Sequence, residues 1–264
     1  HLKLNNLILI YDNNNISIDG STDLAFSDNT NLRFKSVNWE VHSGRGHDHK
    51  NIYKLLKKAQ VSKVPCLLNF KTTIGFGSPN KSAKASSHGS PLGSEEVKLT
   101  RSKLSWNEKP FQIPDKLLKM WRNSSSRNLK IYKKTKSISH TNLSNKDIDN
   151  LFNEIETDLK DFKSDQATRK SSEAILDYFR EDHPILGGSA DLTGSNNTKG
   201  KEMSVLDSMN TTGQYIHYGV REHGMAAIMN GIAATKIYKT YSGTFLSFAD
   251  YMLSLIHISE PTRR

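Results

Sequence analysis

The chain has 264 residues, 35% of them hydrophobic, and a formal net charge of +10. That length holds one large domain or two smaller ones with real cores, no apolar run approaches the roughly 20 residues of a membrane span, and one cysteine, Cys66, excludes an internal disulfide framework and fits a reducing compartment. The positive charge points to nucleic acid or to anionic small substrates. Because the basic residues are scattered, and the densest cluster, Lys130–Lys136, sits in a Ser/Asn-rich stretch without a nucleic-acid module, the reading is no nucleic acid and no membrane.

In chain order, Leu7–Tyr11 is a short unbroken apolar run, as expected of a parallel strand buried on both faces, and the polar Asp12–Asn15 ends it. The opening residues carry no basic segment followed by a small-residue cleavage site, so they read as mid-domain. Asn51–Gln60 places Ile52, Leu55, Leu56 and Ala59 at helical spacing. Val64–Phe70 reads as a second buried strand with Cys66 inert inside it, completing a strand–helix–strand unit of an α/β domain. Lys71–Gly93 is a long loop rich in Gly, Ser and Pro, a kind that is functional or disordered.

From Trp106 to Asp165 the sequence is polar and Lys/Asn/Ser-rich, with one helix expected at Lys146–Phe162, and reads as an interdomain connector. A helix follows at Gln166–Glu181, with Ala174, Ile175, Tyr178 and Phe179 on one face. Pro184–Leu186 reads as a strand entering a Gly-rich turn at Gly187–Asp191. The last helix spans Arg221–Ala234, with Met225, Ile228, Met229 and Ile232 as its apolar stripe. Leu253–Arg263, LSLIHISEPTR, looks like one reading frame of a sequencing-library adapter, so residues 253–264 are set aside as an adapter-derived tail.

Several stretches carry chemistry. In NLILIYDNNNISIDG a strand end followed by Asn-rich polar residues is, from the residues alone, usually just a turn, although amide oxygens and carbonyls at the carboxyl end of a strand also suit Mg²⁺ or Ca²⁺. His88, in Ser87-His88-Gly89, is a loop histidine able to donate to an anionic oxygen or move a proton near neutral pH. Arg169, in Ala167-Thr168-Arg169-Lys170, offers a planar guanidinium for phosphate, and GGSADLTGSN spans Gly187–Asn196. Tyr215–Ala234, YIHYGVREHGMAAIMNGIAA, puts Glu222 in the first turn of a small-residue helix, and GTFLSFADY spaces Phe245, Phe248 and Tyr251 by three, a pattern that on a helix is usually core.

Taken together these stretches resemble the transketolases, thiamine diphosphate enzymes that move two-carbon ketol units between sugar phosphates. NLILIYDNNNISIDG is similar to the end of the family's thiamine diphosphate motif, which opens with Gly-Asp-Gly. The resemblance places that opening before His1. KTTIGFGSPNKSAKASSHGSPLG, with the continuation VKLTRSKLSW, is similar to the family's loop and His-Gly-Ala-Pro turn, with Ser90 in place of Ala. Gly194 stands where many members have Pro.

The resemblance implies a fold of two α/β domains with parallel sheets. Residues 1–105 would be the later part of a diphosphate-binding domain, 106–164 the connector, and 165–252 the opening of a pyrimidine-binding domain. It implies Asn14 and Ile16 as metal ligands, Asn14, Ile16, His88, Asp191, Glu222, Phe245, Phe248 and Tyr251 as cofactor-binding residues, and His88, Arg169 and Ser195 as sugar-phosphate ligands. Glu222 and His88 are the implied catalytic residues, Glu222 hydrogen-bonding the aminopyrimidine N1′ so that the 4′ nitrogen can deprotonate C2. The implied cofactors are thiamine diphosphate and Mg²⁺ or Ca²⁺. The implied assembly is a homodimer with each site shared between subunits. The implied compartment is the cytoplasm, with a plastid as the alternative, and the chain by itself is expected to be inactive. Dihydroxyacetone synthase is the nearest alternative enzyme, and a non-catalytic partial chain is the alternative of a different class. Deoxyxylulose-phosphate synthase is disfavoured by DNNNISIDG and VREHGM.

Overall fold

The computed structural model describes residues 1–135, 145–158, 165–178 and 185–259. It divides into two compact units, Leu2–Ser125 and Ser126–Arg264.

In the first unit β1 (Ile8–Asn13) leads into a small antiparallel pair, β2 (Ile16–Ser17) and β3 (Gly20–Ser21). Helix α1 (Thr30–Ser36), strand β4 (Glu40–Arg45), helix α2 (His49–Ala59) and strand β5 (Cys66–Lys71) follow. The sheet is parallel in the order β1-β5-β4, with Cys66 in register with both Ile8 and Glu40. Asp48 starts α2 by accepting from the Asn51 backbone N–H at 3.0 Å, and that bond holds its carboxyl below the ordinary range. Ile52, Leu55, Leu56 and Ala59 then meet Cys66, Leu68 and Phe70, so the expected helix, its apolar face and the buried Cys66 are all present. Burial pushes the Cys66 thiol up.

Two expectations are corrected. Strand β1 is not buried on both faces: it is the edge of this sheet, with Leu9 41% and Ile10 55% exposed, while the central β5 takes the burial. The strand preceding α2 in the strand–helix–strand unit is β4, whose polar sequence EVHSGR hides it. Gly44 lets the helix settle there, since a Cβ would lie 2.5 Å from Leu55 Cδ1 and 3.1 Å from the Phe70 ring.

Helix α3 (Ser94–Lys103) closes the long loop, and α4 (Asp115–Thr135) runs 21 residues through sequence that reads as connector. The connector helix is α5 (Asn145–Asp158), and the expected residues 159–162 lie outside the described residues, as does Lys136 of the basic cluster.

In the second unit α6 (Thr168–Leu176) precedes β6 (Ile185–Ser189), the short helix α7 (Thr193–Asn196) and β7 (Tyr215–His217). Helix α8 (Glu222–Ala234), β8 (Lys239–Thr240), a 3₁₀ helix at Leu246–Met252 and α9 (Leu253–Ser259) complete it. The sheet order is β7-β6-β8, all parallel. One core cluster joins Leu186, Ala190, Ile216, Tyr218 and Met225, and another joins Leu176, Ile185, Met203 and Tyr215.

Gly187 and Gly188 are strand residues rather than a turn. A Cβ on Gly187 would sit 2.0 Å from the Tyr241 ring, and one on Gly188 would sit 2.3 Å from the Ile216 carbonyl. The turn comes at Asp191, where φ is 62°. Helix α6 buries Leu176 and leaves Ala174, Ile175 and Tyr178 half-buried; Phe179 and Pro184 lie outside the described residues. On α8, Met225 and Ala226 are buried but Ile228 is exposed, so the expected stripe is narrower than its spacing implied. Asn230 Nδ2 donates to the Leu255 carbonyl at 3.0 Å, tying α9 to α8, and 260–264 lie outside the described residues.

Candidate active site

In chain order every one of these site residues except Arg169 comes after a strand of a parallel sheet, and such sheets bind ligands beyond the carboxyl ends of their strands. Asn14 and Ile16 follow β1, His88 follows β5, Asp191 and Ser195 follow β6, Glu222 follows β7, and the aromatic triplet follows β8.

In the first unit Asn14 Oδ1 accepts from the Ile16 backbone N–H at 2.9 Å, and Asn15 beside it takes φ 60°. The bond fixes the amide oxygen at the Ile16 backbone N–H and leaves it a second lone pair. That oxygen and the Ile16 carbonyl, both neutral, suit a hard cation but fill only part of its six or more positions. Among the described residues no group of three or more His, Cys, Asp or Glu could hold a metal, so the fit is to a shell completed by other oxygens, such as those of a diphosphate.

His88 is exposed at the end of a 3₁₀ turn, Ala85–Ser87, its backbone N–H donating to the Ala85 carbonyl at 2.8 Å. Among the described residues no hydrogen bond joins it to Asn14 or Ile16. The loop carrying it is anchored at Glu96 of α3, a buried carboxylate that accepts from the Ser78 hydroxyl and, at 2.8 and 2.9 Å, from the backbone and side chain of Asn80. Those donors, Ser78 first, pull the Glu96 carboxyl down to about 2. His47, which the sequence reading passed over, accepts from the Thr73 backbone N–H at 2.8 Å and stacks on Phe76 at 3.9 Å, bracing the start of the same loop. Its signal was only a His-Asp pair after a weak strand.

In the second unit Glu222, 8% exposed, is the first residue of α8, where the helix N-terminus favours a negative charge. Thr244 Oγ1 donates to its Oε1 at 3.4 Å. Phe245 follows directly in the chain, and its ring lies 6.1 Å from that of Phe248, which lies 6.4 Å from Tyr251. A 3₁₀ helix has three residues per turn, so spacing three stacks these rings in one column. The column is exposed, Phe248 at 37% and Tyr251 at 69%, so the core reading of this pattern is overturned. A buried carboxylate adjoining open aromatic faces fits a flat, nitrogen-bearing heteroaromatic ring.

Asp191 is exposed on the turn after β6 and Ser195 is exposed in α7, donating its backbone N–H to the Leu192 carbonyl at 2.9 Å. Arg169 is exposed in the first turn of α6. The sequence reading missed the side chains that tie the α7 segment to α6 and to β7. Asn197 Nδ2 donates to Glu173 Oε2 at 3.0 Å, and the Tyr215 hydroxyl bonds Thr193 and Thr198 at 2.9 and 2.8 Å. Thr244 likewise had no signal, lying 22 residues from Glu222.

The family model described as "Transketolase, thiamine diphosphate binding domain" matches residues 1–159, and "Transketolase, pyrimidine binding domain" matches 164–260. The chain belongs to the transketolase family. Transketolase 2 of Escherichia coli is 40% identical over 273 residues, covering 95% of this chain and 40% of that protein. The Sinorhizobium medicae transketolase is 35% identical over 276 residues, covering 98% and 39%. Among solved structures, Campylobacter jejuni transketolase superposes with a TM-score of 0.81 at 37% identity, covering 97% of this chain and 41% of that one. A Pichia stipitis transketolase solved with sedoheptulose 7-phosphate gives 0.81 at 34% identity, covering 98% and 42%. The chain therefore spans about two fifths of the length of the transketolases it matches. The α/β fold with parallel sheets is that of the family. Among the described residues no helix is long and apolar enough to cross a membrane.

Proposed function

We propose that the full-length protein carrying this chain is a thiamine diphosphate-dependent transketolase, moving a two-carbon ketol unit from a ketose phosphate to an aldose phosphate. The observation that carries this reading is the buried Glu222 carboxylate held by Thr244, the residue that leads directly into the exposed column of Phe245, Phe248 and Tyr251. When bound, the cofactor supplies the nucleophilic carbon and electron sink that carbon–carbon bond cleavage beside a carbonyl needs.

The chain's residues take the roles their chemistry allows. Glu222 hydrogen-bonds the aminopyrimidine N1′ and exchanges a proton with it, with Thr244 holding the carboxyl's orientation. Phe248 stacks on the same ring, flanked by Phe245 and Tyr251. Asn14 and the Ile16 carbonyl take two positions on Mg²⁺ or Ca²⁺. Asp191 faces the cofactor's thiazolium side. His88 donates to an anionic oxygen of cofactor or sugar and moves a proton at the sugar hydroxyl. Arg169 and Ser195 hold the sugar's distal phosphate.

The same proposal assigns residues 1–105 to the diphosphate-binding domain, 106–164 to the connector and 165–252 to the pyrimidine-binding domain. It also includes sugar phosphates as substrates, a homodimer as the working assembly and the cytoplasm as the compartment. The test is ketol transfer from xylulose 5-phosphate to ribose 5-phosphate by the purified full-length protein. Turnover that requires both thiamine diphosphate and Mg²⁺, and is lost in Glu222→Ala, is the expected result. Absence of turnover with cofactor and metal saturating would sink the enzyme reading in favour of a non-catalytic relative.

A further inference from the structure

Arg169 and Ser195 sit on separate elements, α6 and α7, and two side chains gripping one phosphate must be held at a fixed separation. Side-chain hydrogen bonds tie the two elements together. Glu173 lies four residues after Arg169, so both occupy one face of α6. Its Oε2 accepts from Asn197 Nδ2 at 3.0 Å and from Lys170 Nζ at 2.8 Å. Asn197 is the residue that ends α7, two places after Ser195, buried and in the left-handed conformation at φ 52°. Asparagine tolerates that backbone where most residues strain.

The segment after α7 continues along α6. The Lys201 backbone N–H donates to Asp177 Oδ1 at 2.8 Å, its Nζ pairs with the same carboxylate at 2.8 Å, and a Cβ on Gly200 would lie 2.7 Å from the Leu176 carbonyl. Of these ties, Glu173–Asn197 is the one nearest in sequence to both Arg169 and Ser195.

We propose that Glu173 and Asn197 are positioning residues that set the spacing of Arg169 and Ser195, and so the preference for phosphorylated over unphosphorylated sugars. The inference rests on the reading of Arg169 and Ser195 as the phosphate-holding pair. Neither positioning residue touches substrate. Glu173 acts through the α6 turn and Asn197 through the α7 turn. Glu173 is one-third exposed at its side chain, so truncating it leaves the core intact.

The experiment measures KM and kcat of the full-length protein with glyceraldehyde 3-phosphate and with glyceraldehyde as acceptors. Glu173→Ala is expected to raise KM for the phosphorylated acceptor about three- to tenfold, as for loss of one ordinary, partly solvated hydrogen bond. KM for glyceraldehyde and kcat on both are expected to stay within about twofold. Glu173→Gln, whose amide oxygen can still accept from Asn197, restores the parental KM. Asn197→Gly, which keeps the left-handed backbone and deletes the donor, repeats the Glu173→Ala pattern. An unchanged KM ratio in both deletions, an equal loss on both acceptors, or a Gln variant no better than Ala overturns the inference. Arg169→Ala and Ser195→Ala run alongside: if they shift the ratio and Glu173→Ala does not, the positioning role alone is wrong. If they leave the ratio unchanged, the phosphate assignment itself has failed and takes the positioning role with it.

Discussion

The hydroxyl of Ser78 donates to the carboxylate of Glu96, eighteen residues further along the chain, and both side chains are buried. Ser78 also accepts from the Lys81 backbone N–H at 3.0 Å, and Lys81 Nζ reaches the Leu92 carbonyl at 3.0 Å. The loop that presents His88 is therefore held by two charged groups, the Glu96 carboxylate at Ser78 and Asn80 and the Lys81 ammonium at Leu92. The Glu96 carboxyl stands at about 2 folded against an ordinary 4.5, so the folded state prefers it ionised. Its contribution is fully present above about pH 4.5 and is lost as the pH falls toward 2. Glu96→Gln should flatten the acid limb of the unfolding curve across that window and raise hydrogen exchange at residues 75–93. An acid limb identical to the parent's would show that Glu96 does not anchor the loop.

The Thr244–Glu222 contact predicts a graded loss. Glu222→Gln keeps the shape and removes the exchangeable proton, so kcat of the full-length protein should fall about 10²- to 10⁴-fold, with thiamine diphosphate affinity within about tenfold of the parent. Thr244→Val removes one donor at 3.4 Å and should cost kcat far less, about two- to fivefold. Steady-state kinetics and a cofactor titration separate the two. If Thr244→Val matched Glu222→Gln, orientation rather than proton exchange would be the role of the carboxylate.

The glycines after Leu186 make opposite predictions within eight residues. On Gly188 a Cβ meets the Ile216 carbonyl at 2.3 Å, backbone that cannot move without shifting β7, so Gly188→Ala should destabilise by about 1–3 kcal/mol. Gly194 has nothing within 4 Å of its Cβ position and lies in α7, so Gly194→Ala should be neutral or stabilising by up to about 1 kcal/mol. Urea unfolding of the pair reads both signs. Equal effects would mean the strand position is not closely packed.

What could be read from the residues alone follows from the same physics. Helix α2 and strand β5 announce themselves because burial wrote a helical period into Ile52–Ala59 and an unbroken apolar run into Cys66–Phe70. Strand β4 carries no such pattern: its contact with α2 runs through Gly44, and a glycine in a polar stretch looks like a turn. Gly187 and Gly188 mislead in the same way, since their small size answers to the Tyr241 ring and the Ile216 carbonyl rather than to a bend. Helix α4 is masked by its Asn123-Ser124-Ser125-Ser126 run, poor helix formers that tertiary context overrides. At the site, local motifs exposed Glu222, Asn14 and His88. Thr244, Asn197 and Glu173 act across 22 and 24 residues, a distance at which a single sequence carries no pairing signal.

The aromatic column gives the most direct division between a binding role and a packing role. Phe248 is 37% exposed between Phe245 and Tyr251, on a 3₁₀ helix that leaves one side of the rings open. A core phenylalanine cut to alanine costs about 3–5 kcal/mol. An exposed one costs less than about 1 kcal/mol. Stacking on a bound heteroaromatic ring, together with the area it covers, is worth about 1–2 kcal/mol. Phe248→Ala in the full-length protein should therefore weaken thiamine diphosphate binding about tenfold while moving the urea midpoint little. Phe248→Tyr, keeping a ring, should bind within about threefold of the parent. A large stability loss with unchanged cofactor affinity would return these rings to the core and remove the observation on which the aminopyrimidine assignment stands.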